Sequence, residues 1–223
     1  MHTPAQTIRA VATAVVMAGL MMAPGCAAVG FLGAMAKSYE QTGTSEIPAK
    51  YEGLEGKTFA VIVAADRSIQ SDNPEIVPLM TNEVTRRLSD HCGATGVVPA
   101  AEVLRFQYQR PGWITMTPTD LAKELEVERL VYIDLTDFAL TDPGNPYLWN
   151  GTASVTVQVL ETEGSLGDTF AYRETLRVTY PEQEGLSPMQ IPGETVRLEL
   201  SRRIISRAAW LFFAHEEPNS LKY

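Results

Sequence analysis

Side chains able to do chemistry are few and far apart in this 223-residue chain, which has three histidines and two cysteines. His91 and Cys92 are adjacent, and on a helix neighbours point about 100° apart, so they form no nucleophile–base pair by themselves. His215 shares no helix with His91, and a two-histidine metal site would need distant segments to converge. A surface or helix-end histidine is the plainer expectation. Asp134 and Asp137 lie in one strand-like segment, three residues apart, and strict alternation puts them on opposite faces. They are expected to cap neighbouring amides, with no acid–base dyad between them. Gly53-Leu-Glu-Gly56-Lys57-Thr58 has the ending of a phosphate-binding loop, but its first glycine is one residue too close and it precedes a strand. G-x-G-x-x-G, G-x-S-x-G, H-E-x-x-H and C-x-x-C are absent. No catalysis, cofactor or metal is expected.

Cys26 is the exception. Arg9 precedes an uncharged apolar run of 13 residues, Ala10 to Met22, followed by Ala23-Pro24-Gly25-Cys26. These are the parts of a bacterial export signal, and small residues directly before a cysteine resemble a lipobox. That resemblance implies a diacylglycerol on the Cys26 thiol, cleavage before it and acylation of the new amine. A plain secretory signal with an incidental Cys26 is one alternative. Another is an uncleaved anchor, since the 27 residues between Arg9 and Lys37 are uncharged and long enough to span. The lipoprotein reading also accounts for the apolar Ala27 to Ala36, which would lie against the bilayer. Ala27 is not the Asp that retains some lipoproteins at the inner membrane, so the outer membrane is favoured, with the chain facing the periplasm.

The expected organisation is a signal peptide over 1–25, a lipid-anchored tether over 26–50, a single domain over 51–218 and a tail over 219–223. The charge balance is 18 Lys+Arg against 27 Asp+Glu, or −9. Loss of Arg9 with the signal leaves 17 against 27, or −10. Such a chain repels phosphate backbones, so no nucleic-acid partner is expected. With Cys26 lipidated, Cys92 has no partner and reads as a small buried hydrophobe.

Lys37 to Lys50 is polar, without helical or strand period, and reads as a spacer. Thr58 to Ala65 is a continuous apolar run, the mark of a strand buried on both faces. Asp72-Asn73-Pro74 opens a helix with Ile76, Met80, Val84 and Leu88 on one face, and Pro78 must lie in its first turn. Val97-Val98 open a short strand, and a weak helix spans Ala100 to Gln107. Thr117-Pro118-Thr119-Asp120 caps another helix, and Arg129 to Leu135, running on towards Leu140, is a second buried strand. Ala153, Val155, Val157 and Val159 alternate with polar residues. Beyond a turn at 163–168, Phe170, Tyr172, Leu176, Val178 and Tyr180 do the same, giving an antiparallel hairpin with one covered face. A last helix spans Gly193 to His215. The fold class is α+β, with helices packed on a mixed sheet in the order β-α-β-α-β-β-β-α.

Two surfaces carry the residue types of protein contacts. Tyr108, Arg110 and Trp113 fall in one loop and match the composition of interface hot spots, although the loop could equally tuck its aromatics onto the core. Arg197, Arg202, Arg203 and Arg207 form a basic cluster on the last helix. It could dock an acidic partner, or it could be ordinary helix-surface pairing, for which Glu199 and Arg203 have the spacing.

Thr58 to Ala65, the segment Leu121 to Leu135 (LAKELEVERLVYIDL) and the hairpin Ala153 to Tyr180, standing behind Cys26, together resemble the TolB amino-terminal-like fold. The curli-secretion lipoprotein and the lipoprotein activators of penicillin-binding proteins share that fold. The resemblance covers Glu55 to Glu217, and Glu126 stands where the family commonly has Gly before its central strand. It implies no catalytic residues and a protein-docking role in the cell envelope. An auxiliary lipoprotein subunit of an envelope transport or secretion system is the alternative. A membrane-inserted barrel is disfavoured, because the outer face of the hairpin carries Arg173 and Arg177.

Overall fold

The computed structural model describes residues 44–163 and 168–218. They fall in two compact units. The chain ends contribute a two-stranded ribbon of β1 (Thr44–Ile47) with β7 (His215–Pro218). The unit Ile47–His215 holds a five-stranded sheet and the helices.

The first strand of the five-stranded sheet in chain order, β2 (Thr58–Ala65), has Phe59 through Ala64 fully buried. That requires cover on both faces. Two helices follow, α1 (Arg67–Asp72) and α2 (Ile76–His91), leading to the two-residue strand β3 (Gly96–Val97). Next come α3 (Ala100–Gln109), a 3-10 turn (Pro111–Thr115) and α4 (Pro118–Glu124). The chain then re-enters the sheet as β4 (Arg129–Ala139), β5 (Gly151–Glu161) and β6 (Tyr172–Tyr180), and α5 (Gly193–Ala209) returns over it. Strand order is β3-β2-β4-β5-β6, with β2 parallel to both its neighbours and β4, β5 and β6 antiparallel in sequence. The fold is α+β with a mixed sheet and a long hairpin, as expected.

Two cores result. On one face α2 and α5 bury Met80, Val84, Leu200 and Ile204 against the alternating row Ala153, Val155, Val157 and Val159. Pro78 is the third residue of α2, where its missing N–H leaves no intrahelical bond unmade. On the other face Val103 of α3 and Leu121 and Ala122 of α4 cover Ala60, Ile62 and Leu130. Thr117 caps α4 by accepting the Asp120 amide at 3.1 Å. The second face is covered only over β2, β4 and the end of β5; Arg173, Thr175, Arg177 and Thr179 of the edge strand β6 stay exposed or nearly so.

Four expectations are corrected. The last helix stops at Ala209, short of His215. There the Leu211 carbonyl accepts the amides of Lys50 (2.8 Å) and Tyr51 (2.9 Å) from the incoming chain, a bond that a continued helix would have given to residue 215. Asp134 and Asp137 share a face. A register shift between Leu135 and Asp137 inserts one residue, so they stand opposite Thr156 and Ser154, two apart on β5. Phe170 leaves the hairpin row: β6 begins at Tyr172, the Val159 carbonyl accepts the Ala171 amide, and the Phe170 ring lies 6.3 Å from Tyr132 on the other face. Finally, part of the spacer, Thr44–Ile47, is a strand, because β7 supplies the ladder that its polar sequence alone does not signal.

Candidate functional site

Cys26 lies outside the described residues. Tyr108, at the end of α3, is 87% exposed. Arg110 sits over the Phe106 ring and pairs with Glu124 at 2.7 Å. Trp113 lies in the 3-10 turn and packs, half-buried, on the core beneath α3 and α4. The loop therefore does not present all three side chains together: Tyr108 is offered to solvent, Arg110 is engaged and Trp113 belongs partly to the core.

The basic residues of α5 are matched by acids. Arg197 donates to Asn73 Oδ1 at 3.1 Å and pairs with Glu194 at 2.5 Å. Arg202 and Arg203 both grip Glu199, at 2.6 and 2.9 Å, and Arg203 reaches Glu182 and the Thr179 carbonyl as well. These bonds hold the Glu199 carboxyl down at about 2. Arg207 is half-buried near the helix end and is also engaged. The pairing that i, i+3 and i, i+4 spacing allows is thus realised on this helix.

The other chemistry-bearing residues stand apart from one another in their contacts. Cys92 is buried, its thiol pushed up to about 12 by burial, with Sγ 3.6 Å from the Phe212 carbonyl. His91 stacks on Phe213 and His215 on Trp210, each with centroids 4.5 Å apart. Asp137 accepts the Thr152 hydroxyl at 2.7 Å. The carboxyl of Asp134 is raised by burial and then by the nearby Asp66. Among the described residues no group of three or more His, Cys, Asp or Glu could hold a metal ion.

Two features had no reading in the sequence. The first is a charge cluster at the end of the sheet where β2 and β4 begin. Arg129, its side chain 7% exposed, bonds both carboxylate oxygens of Glu163 and the carbonyls of Gly53 and Glu128, each at 3.0 Å. Lys57 joins Glu128 (3.1 Å) to Glu163 (2.8 Å), and the Tyr51 hydroxyl donates to Glu161 at 2.8 Å. The Glu163 carboxyl is held far below the usual carboxylate range by hydrogen bonds from Arg129 and then Lys57. Burial, then the bond to Glu161, raises the Tyr51 phenol well above its ordinary value. The only available signal was an arginine opening an apolar strand with glutamates two apart at the end of another.

The second lies at the opposite end of the sheet, where α2 and α5 begin. There a cleft of about 370 Å³ has Ile76 and Phe138 in its floor and Leu79 and Leu198 in its walls. Leu198 is 57% exposed. Tyr147 and Leu148 of the β4–β5 loop and Met189 of the β6–α5 loop are exposed in loops at the same end of the strands. A groove between α3 and α4, about 570 Å³, is more polar and contains the Arg110–Glu124 pair.

No protein-family model matches the sequence, and no curated protein matches it. Among solved structures the chain is similar to the lipoprotein GNA1162 of Neisseria meningitidis, with 12% identity and a TM-score of 0.43, covering 68% of this chain and 97% of that one. It is also similar to PelC of Paraburkholderia phytofirmans, there a dodecamer, with 9% identity, a TM-score of 0.42 and coverage of 76% and 98%. For the LpoB C-terminal domain of Salmonella enterica the values are 10%, 0.35, 64% and 90%. Likenesses at these identities and scores transfer no residue role. Among the described residues no helix is long and apolar enough to cross a membrane.

Proposed function

We propose that this chain is a lipid-anchored lipoprotein of a bacterial envelope, facing the periplasm, whose folded unit binds another envelope protein and catalyses no reaction. The tether reading rests on Arg9, the apolar run and Gly25-Cys26, and the TolB-like resemblance adds the docking role. One geometric observation carries the rest. The chain enters the sheet unit at Lys50 and Tyr51, beside the beginnings of β2, β4 and β6, where Lys50 pairs with Glu174 and Tyr51 with Glu161. The exposed side chains Leu79, Leu148, Met189 and Leu198 belong to elements at the other end of the strands. Exposed apolar side chains gathered at the end of the strands away from Lys50 and Tyr51 support a protein-binding reading.

The test has two arms. Cys26→Ser is expected to abolish incorporation of labelled palmitate and leave uncleaved precursor or soluble protein; normal processing and membrane attachment of the variant would refute the anchor. Photo-crosslinking residues placed at Leu148 and Met189 in intact cells are expected to trap one dominant envelope protein. Traps that are empty there and equally empty at Tyr108 would refute the binding role.

A further inference from the structure

The cleft between α2 and α5 has features that a merely leftover gap lacks. Its floor is core: Ile76 and Phe138 are 3% and 6% exposed. Leu79 and Leu198 rise from two different helices on either side, so two leucines stay part-wet where each helix offers other positions for its core stripe. Laid directly on a two-fold axis, a concave site would face another concave site, so a second copy of this chain could fill it only with a different, convex part of its surface. The cleft needs a convex, narrow, apolar occupant, and an amphipathic helix laid in a groove is such an object.

Charge selects the occupant further. Arg197, the one cation lining the cleft, is already neutralised by Glu194 and held by Asn73. Asp72 and Glu75 on the rim have no ion-pair partner among the described residues. Glu75 suits the positive pole at the start of α2, but Asp72 closes the short helix α1, where backbone carbonyls disfavour a carboxylate. The rim thus has two unmatched negative charges in a chain that is acidic overall.

We propose that this cleft seats an amphipathic helix of a partner protein, its apolar face against Leu79 and Leu198 and its lysines or arginines against Asp72 and Glu75. This rests on the binding role proposed above and names the chemistry of the partner. It places the contact on helix faces, separate from the Tyr108 and Arg110 surface.

The probe is a fluorescent synthetic helix with leucines at i, i+3, i+4 and i+7 and lysines on the other face, with a glutamate-for-lysine twin. The protein is the full mature chain with Cys26→Ser, which removes acyl chains and alters no described residue. Saturable binding of the lysine peptide is expected, weakened about tenfold or more by Leu198→Arg and several-fold by Glu75→Lys. Glu102→Lys, the same charge change in the α3–α4 groove, is expected to leave it intact. Leu198→Ala gives the same reading should Leu198→Arg melt at a lower temperature. Equal binding of the glutamate twin, equal weakening by Glu102→Lys, or indifference to both Leu198 variants would overturn the proposal. So would sedimentation showing a wild-type dimer that Leu198→Arg dissociates, because a second copy would then be the occupant. A partner trapped in cells at Leu148 but never at Leu198 would refute the cleft and leave the binding role standing.

Discussion

Arg129 holds both carboxylate oxygens of Glu163 and so ties the first residue of β4 to the chain just beyond β5. The guanidinium is buried and the carboxylate half-exposed, so the arginine depends on the pair more than the glutamate does. Removing one partner of a buried pair strands the other. Glu163→Gln, which strands the buried guanidinium, is therefore expected to cost about 3 kcal/mol, and Arg129→Ala, which leaves a half-exposed carboxylate beside Lys57 and water, only about 1 kcal/mol. Urea titrations that reverse this order would refute the account.

The same pair predicts an acid dependence. The folded carboxyl of Glu163 lies far below its unfolded value, which is near 4.3. Its contribution is complete above that unfolded value and is lost as pH falls from there towards the folded one. Between pH 7 and pH 3 the wild type is expected to lose more stability than Glu163→Gln. Parallel losses would mean that the carboxylate is not favoured by folding.

Glu126 adopts a φ of +54°, a left-handed conformation that suits glycine. The strain is about 1–2 kcal/mol, and the added freedom of an unfolded glycine offsets part of its relief. Glu126→Gly is expected to raise stability by about 0.5–1 kcal/mol, seen as a higher urea midpoint with an unchanged slope. A lower midpoint would show that the Glu126 side chain contributes more than its backbone costs.

Trp113 and Tyr108 separate core from surface. Trp113 packs on the core under α3 and α4, so Trp113→Ala is expected to cost about 2 kcal/mol. Tyr108→Ala, at a side chain almost wholly in water, should stay within about 0.5 kcal/mol. Thermal melts of the two variants decide it; a Trp113→Ala melt indistinguishable from wild type would return Trp113 to the surface.

Cys92 offers a readout of opening. A buried thiol pushed up to about 12 is almost entirely protonated at pH 8. Alkylation is expected to be slow in the folded chain and at least about 100-fold faster in urea. Rapid labelling without denaturant would place Cys92 at the surface.

What the sequence disclosed follows from how far each signal extends. The apolar run of β2, the alternation of β5 and the Ile76–Leu88 stripe are local and periodic, and they placed the sheet and both cores. The bulge at Leu135 leaves no trace in residue types, so strict alternation puts Asp134 and Asp137 on opposite faces where they share one. Leu211 ends α5 through a carbonyl taken by Lys50 and Tyr51, about 160 residues earlier, a distance no periodicity spans. The Arg129 cluster and the α2–α5 cleft are likewise assembled from remote segments. The pairs within α5 follow helical spacing, but Glu182, a further acidic partner of Arg203, lies outside the helix and its spacing rules.

Strand β6 is the longer of the two edge strands of the five-stranded sheet, nine residues against two in β3, a template onto which a neighbouring chain could add a strand. Arg173 and Arg177 stand exposed along it, and Arg203 occupies the Thr179 carbonyl near its end. Laid edge to edge in antiparallel register, two copies would bring these arginines close together and would have to give up the Arg203 bond. Were the chain anchored in one leaflet as proposed, where concentration is counted per area and neighbours are always near, that fringe would let crowding rise without the sheets fusing into fibres.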